Sequence, residues 1–137
     1  MNSPQRIVLY IDDDEDDLMM VQETINEIDP NMIVRQANNG ETGVQFLKQS
    51  KEFNDLPCLI ILDINMPGMS GKEVLKEIKK DQKLSSIPMV LFTTSSSAMD
   101  KSFASKENVE LITKPTSTTG LVDTVKKILD HCPPEAK

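Results

Sequence analysis

Asp12, Asp13, Asp63, Thr93 and Lys114 all stand at the ends of short apolar runs. Ile7-Val8-Leu9-Tyr10-Ile11 ends on Asp12-Asp13, and Cys58-Leu59-Ile60-Ile61-Leu62 ends on Asp63. Met89-Val90-Leu91-Phe92 ends on Thr93-Thr94, and the less apolar run 109–113 ends on Lys114-Pro115. Three carboxylates brought to one place would repel: two unit charges ~4 Å apart cost roughly 4 kcal/mol at an effective dielectric near 20. Such a cluster must share a proton or bind a cation. Mg2+ suits it, because that ion takes one or two carboxylates, keeps several waters and brings phosphoryl groups with it. Lys114 would add a second positive charge, and Thr93 a neutral donor for a phosphoryl oxygen. One carboxylate would remain free as a nucleophile that forms an aspartyl phosphate. Transfer to it asks for little beyond positioning and charge neutralisation.

These residues meet only if the four runs are parallel strands opening on one edge of a sheet, which is where open α/β sheets bind ligands. The intervening stretches supply the required helices. Leu18, Val21, Ile25 and Ile28 recur at spacings of three, four and three after the acidic start 14–17, and Asp29-Pro30-Asn31 stops that helix. Met32-Ile33-Val34 with Ala37 reads as a further strand, Asn38-Asn39-Gly40 as a turn, and Val44 with Leu47 as a second helix. Residues 49–56 read as a polar connection. Gly71 opens a helix that buries Val74, Leu75 and Ile78 and leaves Lys72, Lys76, Lys79 and Lys80 outside. Residues 98–106 read as a weak polar helix, and Leu121, Val125, Ile128 and Cys132 share a face of a last one. The βα unit repeats five times. That predicts a doubly wound, flavodoxin-like (βα)5 α/β fold: a five-stranded parallel sheet with helices on both faces and right-handed crossovers. Without a composition break or linker, residues 1–137 read as a single domain, core about 6–130, with no output domain.

Composition narrows the function classes. The 137 residues carry 15 basic and 22 acidic side chains, a net charge of −7. Nucleic acid and anionic membrane surfaces need clustered Lys and Arg, so neither is an expected partner. Apolar runs of about five residues fall far short of the ~20 of a membrane helix. The start of the chain shows no signal-peptide h-region, so a cytoplasmic location is expected. Cys58 reads as a small core residue and Cys132 as incidental, with no metal spacing and no partner pattern between them. His131 is the only histidine; beside Pro133-Pro134 it reads as a helix C-terminal residue, which removes most of the appeal of Ser-His-Asp and zinc-hydrolase mechanisms. Met19, Met20, Met66 and Met69 read as packing and loop-filling residues.

Residues 8–13, the segment Leu62-Asp63-Ile64-Asn65-Met66-Pro67-Gly68-Met69-Ser70-Gly71, Phe92-Thr93-Thr94 and Thr113-Lys114-Pro115 closely resemble the receiver domain of two-component response regulators. The resemblance covers roughly residues 6–130 and leans to the stand-alone, chemotaxis-response-regulator-like type. It implies that Asp63 accepts the phosphoryl group, that Asp13 ligates Mg2+ directly, and that Asp12 places a metal-bound water. Asn65 would offer its backbone carbonyl to the metal. Thr93 would bind and report the phosphoryl group, with Thr94 lining the site, and Lys114 would pair first with the carboxylate and then with the phosphate. A cis Lys114–Pro115 bond is implied as well, as such bonds are largely an X-Pro feature. The donor would be a sensor histidine kinase or a histidine phosphotransfer protein. The output would be a contact with a downstream protein or with a second copy in a homodimer, switched through Thr93, the loop 94–97 and the surface of the fourth helix, fifth strand and fifth helix. One departure stands out: where most members have Tyr or Phe, three residues before the lysine, this chain has Leu111, and Glu107-Asn108 replaces the usual Gly-Ala.

Other readings of the same residues fare worse. Asp12-x-Asp14-x-Asp16 with Glu23 imitates a Ca2+ loop, but the sixth position is Asp17 where the sharp turn needs Gly. Asp14, Glu15, Asp16 and Asp17 read as a solvated helix start. A haloacid-dehalogenase-like Mg2+ phosphohydrolase would also use an aspartyl nucleophile, yet neither Asp12-Asp13-Asp14 nor Asp63-Ile64-Asn65 supplies its early Asp-x-Asp-x-Thr/Val pattern. A receiver-like scaffold that is never phosphorylated sits poorly with a complete set of acids, Thr and Lys.

Overall fold

Period-2 apolar alternation in the central strands builds two cores at once. Along β1 (Ile7–Ile11) every residue is buried. Leu9 and Ile11 enter one hydrophobic cluster while Val8 and Tyr10 enter the other. The computed structural model describes residues 6–94 and 97–133. In it β1 is followed by α1 (Glu15–Ile28), β2 (Ile33–Ala37), α2 (Gly40–Glu52), β3 (Leu59–Leu62) and α3 (Gly71–Lys79). A short 3-10 turn (Leu84–Ser86) then leads to β4 (Met89–Thr93), α4 (Ala98–Lys106), β5 (Glu110–Thr113) and α5 (Thr118–Leu129). The strands form one sheet in the order β2-β1-β3-β4-β5, and all four pairings are parallel. This is the doubly wound arrangement that the alternation predicts. The order reverses between β1 and β3, which opens a crevice at their C-terminal ends.

Helices α1 and α5 cover one face and α2, α3 and part of α4 the other. Strands β1, β3 and β4 are buried along their whole length, while edge strands β2 and β5 keep exposed residues. Each of the five helices starts on a side chain that accepts from its first-turn amides: Asp14, Asn39, Ser70, Ser97 and Ser117. Such caps satisfy donors that the helix itself leaves free. At α3 the cap is reciprocal, with Glu73 reaching back to Ser70.

Several details differ from the sequence expectations. Met19 and Met20, expected to pack, are exposed on α1. The polar stretch from residue 49 does not leave the helix: α2 continues to Glu52. Ser50 is buried there, its hydroxyl donating to Phe46 O at 2.8 Å, and Lys51 pairs with Asp81. Lys72 is half-buried, 2.9 Å from Asp100 and 5.3 Å from the centre of the Phe103 ring. Ile28 is only partly buried, packed against the edge of the core. Cys58 and Cys132 form a disulfide with Cα atoms 5.2 Å apart, a separation that suits the bond. The pairing follows from topology. A helix returns antiparallel to the strand before it, so the end of α5 comes back to the end of the sheet where β3 begins.

No helix among the described residues is long and apolar enough to cross a membrane.

Candidate functional site

The sheet carries the site residues on its own hydrogen-bond ladder, one step past the last strand residues. Asp12 N–H donates to Ala37 O and Asp63 N–H to Ile11 O, both at 3.0 Å; Lys114 N–H donates to Thr93 O at 2.8 Å. Their backbones are therefore held by β1, β3, β4 and β5 rather than by loops. Gly71 adds a second restraint. It opens α3 pressed against the end of β3, and a Cβ there would lie 2.2 Å from Asp63 O. Only glycine permits that approach of helix to strand.

Carboxylate oxygens of Asp12, Asp13 and Asp63 lie within 4.8 Å of one another. Asp12 is fully buried and Asp63 6% exposed, while Asp13 faces solvent. Both oxygens of Asp12 are engaged: its Oδ2 accepts from Tyr10 Oη at 2.6 Å and Lys114 Nζ at 2.7 Å, and its Oδ1 from Asp14 N–H at 2.9 Å. Lys114 Nζ also donates to Asp17 Oδ2 at 2.7 Å and, at longer range, to Asp63 Oδ2 at 3.4 Å. Asp63 further accepts from Thr93, which is fully buried, and from Asn65 N–H at 3.4 Å. The structure thus brings Asp12, Asp13, Asp63, Thr93 and Lys114 together, with the N–H of Asn65 on Asp63. The peptide bond between Lys114 and Pro115 is trans, not cis as the resemblance implied. The long lysine side chain spans the distance from a trans backbone.

Two participants escaped the sequence reading. Asp17, read there as a solvated helix residue, turns onto Lys114 from the first turn of α1. Tyr10, read as one apolar residue among five, puts a buried hydroxyl on Asp12. Its ring lies 6.3 Å from that of Phe92, beside Thr93. No local pattern announces either contact; an acid one turn into a helix and a tyrosine in a strand are both ordinary. Thr94 is exposed at the end of β4. Of the loop 94–97, residues 95 and 96 lie outside the described residues. Leu111 is half-buried and packs on the core.

Electrostatics separate the groups. Burial, and next the charge of Asp12, lift the Asp63 carboxyl from the usual 3.8 to about 6, against the opposing pull of Lys114, Thr93 and Asn65 N–H. Burial alone would lower the Lys114 ammonium, but its bonds to Asp12 and Asp17 outweigh that and hold it above the ordinary lysine value. Burial and the neighbouring Asp12 push the Tyr10 phenol up, so it stays a donor. Among the described residues the site therefore holds one cation, Lys114, against the carboxylates of Asp12, Asp13, Asp17 and Asp63. Hard oxygen donors in excess of positive charge fit a divalent cation.

A family model described as the response regulator receiver domain matches residues 8–126. Response regulator Rcp1 of Synechocystis sp. is 37% identical over 98 residues, covering 69% of this chain and 65% of its own length. Among solved structures, the phosphorylated cyanobacterial phytochrome response regulator RcpA superposes with a TM-score of 0.84 at 30% identity, covering 94% of each chain. The Mn(2+)-bound form of Rcp1 superposes with a TM-score of 0.80 at 30% identity, covering 91% of this chain and 92% of its own.

Proposed function

We propose, for a chain that belongs to the response regulator receiver domain family, that its phosphoacceptor signalling runs through Asp63. A sensor histidine kinase or a histidine phosphotransfer protein is the donor in this reading. A carboxylate oxygen of Asp63 attacks the phosphorus of the donor's phosphohistidine; the new P–O bond forms as the P–N bond breaks, and the electron pair returns to the imidazole. The observation that carries this assignment is the place of Asp63: buried at the end of β3, within reach of Asp12, Asp13, Thr93 and Lys114. Burial, and next the charge of Asp12, lift its carboxyl to about 6.

Receiver domains bind a divalent metal, and we assign Mg2+ here to Asp12, Asp13, Asp63 and the Asn65 backbone carbonyl. When bound, the ion would offset charge on the transferring phosphoryl group. The Mn(2+)-bound form of a relative lends support to this assignment. Asp12, with both oxygens already engaged by Tyr10, Lys114 and Asp14 N–H, suits the water-placing role better than direct ligation. The exposed Asp13 suits the direct role. Thr93 holds a phosphoryl oxygen through its hydroxyl, and Lys114 shifts part of its charge from Asp63 to the new phosphate.

The phosphoryl state then alters a protein contact. Acidic composition argues against a nucleic-acid target. The surface of α4, β5 and α5 carries the contact in this reading, with a homodimer as one form of it and the cytoplasm as its setting. Leu111 has no ring or hydroxyl to exchange between two environments, so β5 transmits by repacking rather than by rotating an aromatic.

The test is phosphorylation by acetyl phosphate with Mg2+. One phosphoryl group per wild-type chain is expected by intact mass, and none on Asp63→Asn. Uptake by the variant equal to wild type would refute the assignment.

A further inference from the structure

The disulfide lies at the end of the sheet opposite the acidic site, and nothing in the phosphoryl chemistry uses it. It joins residues 74 apart in sequence: Cys58, immediately before β3, and Cys132, just after α5. They are the chain's only two cysteines. The halves are not equivalent. Cys132 is buried and Cys58 is more exposed. Arg6 reaches across to Cys132, with Nη1 3.8 Å from Sγ and 3.3 Å from Pro133 O, while Nη2 holds Asp29 at 3.0 Å. A guanidinium against a cysteine sulfur favours its thiolate, and a stabilised thiolate is the better leaving group in exchange. Disulfides of proteins in reducing compartments are usually transient.

We propose that Cys58 and Cys132 form a thiol–disulfide exchange site whose reductant is a dithiol. A thiolate of the dithiol attacks the half-buried Cys58 sulfur, the more accessible of the two residues. The S–S bond breaks and its electron pair leaves on Cys132 Sγ, beside Arg6. The second thiol of the reductant then attacks the mixed disulfide and releases Cys58. Two electrons and two protons pass to the protein, which ends with two thiols, and the dithiol ends as a disulfide; a disulfide oxidant runs the sequence backwards. In the oxidised state α5 is tied to β3 at its last turn. In the reduced state the apolar face of Leu121, Val125, Ile128 and Cys132, the Arg6 clasp and the His131–Glu110 contact hold it without a covalent tie. The bond thereby sets how firmly α5 sits on the sheet, independently of phosphorylation.

The experiment equilibrates the native full chain with dithiothreitol or oxidised glutathione, quenches with acid and counts maleimide-reactive thiols by intact mass. Two reactive thiols are expected after dithiothreitol and none after oxidised glutathione. The oxidised form should melt roughly 10 °C higher than the reduced one. Cys58→Ser and Cys132→Ala should each abolish the difference in melting between the two treatments. Arg6→Gln should be reduced by dithiothreitol several-fold more slowly than wild type. Two reactive thiols after oxidised glutathione would overturn the site, and an Arg6→Gln rate equal to wild type would overturn the choice of Cys132 as leaving group.

Discussion

Asp63 carries a cost when no cation is bound. The folded protein holds its proton up to a pH of about 6, whereas the unfolded chain releases it near 3.8. Between those values the folded state binds more protons, so stability falls as pH rises through the window, and the loss persists above it. Asp63→Asn removes the charge. The variant should therefore be more stable than wild type at pH 7 without divalent cation, by as much as about 3 kcal/mol. The advantage should fade below about pH 4 and shrink when Mg2+ is added. Urea denaturation of both proteins from pH 4 to 7 checks this, and a difference independent of pH would contradict it. At this scale the sequence was readable where chemistry sits at a strand end. Asp12, Asp13, Asp63, Thr93 and Lys114 all follow apolar runs, and all converge. Asp17 and Tyr10 were not readable, because their roles depend on which way a side chain turns across a contact. Lys114 meets Asp17 from 97 residues away.

The elements matter as struts that hold these residues at one spacing. Gly71 is the tightest point, since any Cβ would meet the backbone of Asp63 and Ile64. The neighbour is main chain and cannot rotate away, so Gly71→Ala must push α3 off the end of β3. We expect it to cost about 2–4 kcal/mol by urea denaturation, within the upper range of overpacking effects. It should also slow phosphorylation by acetyl phosphate. Wild-type stability in that variant would show that α3 does not position Asp63. Helix identities were legible from apolar spacing and, for α1, from its acidic start. Ends were less so: residues 49–52 are polar on the outside, and only the burial of Ser50 and the pairing of Lys51 with Asp81 keep α2 going to Glu52. The pairing of Cys58 with Cys132 required the strand order, which no local pattern specifies.

Across the whole molecule, the fold turns four distant strand endings into one charged crevice, with more carboxylates than cations. A divalent cation bound there should stabilise the native state by mass action, about 2.7 kcal/mol at a hundredfold excess over Kd. Mg2+ should therefore raise the Tm of wild type well beyond NaCl of equal ionic strength and should raise that of Asp13→Asn much less; equal shifts would place the cation elsewhere. The remaining claim is that this crevice exists to load Asp63. The most direct measurement is borohydride trapping: protein treated with acetyl phosphate and Mg2+ is reduced, digested and mapped by mass spectrometry. Reduction converts an aspartyl phosphate to homoserine at the position that carried it. Homoserine is expected at position 63 alone, dependent on both acetyl phosphate and Mg2+. Homoserine at position 12 or 13, or at no aspartate in a chain shown to have gained a phosphoryl group, would contradict it.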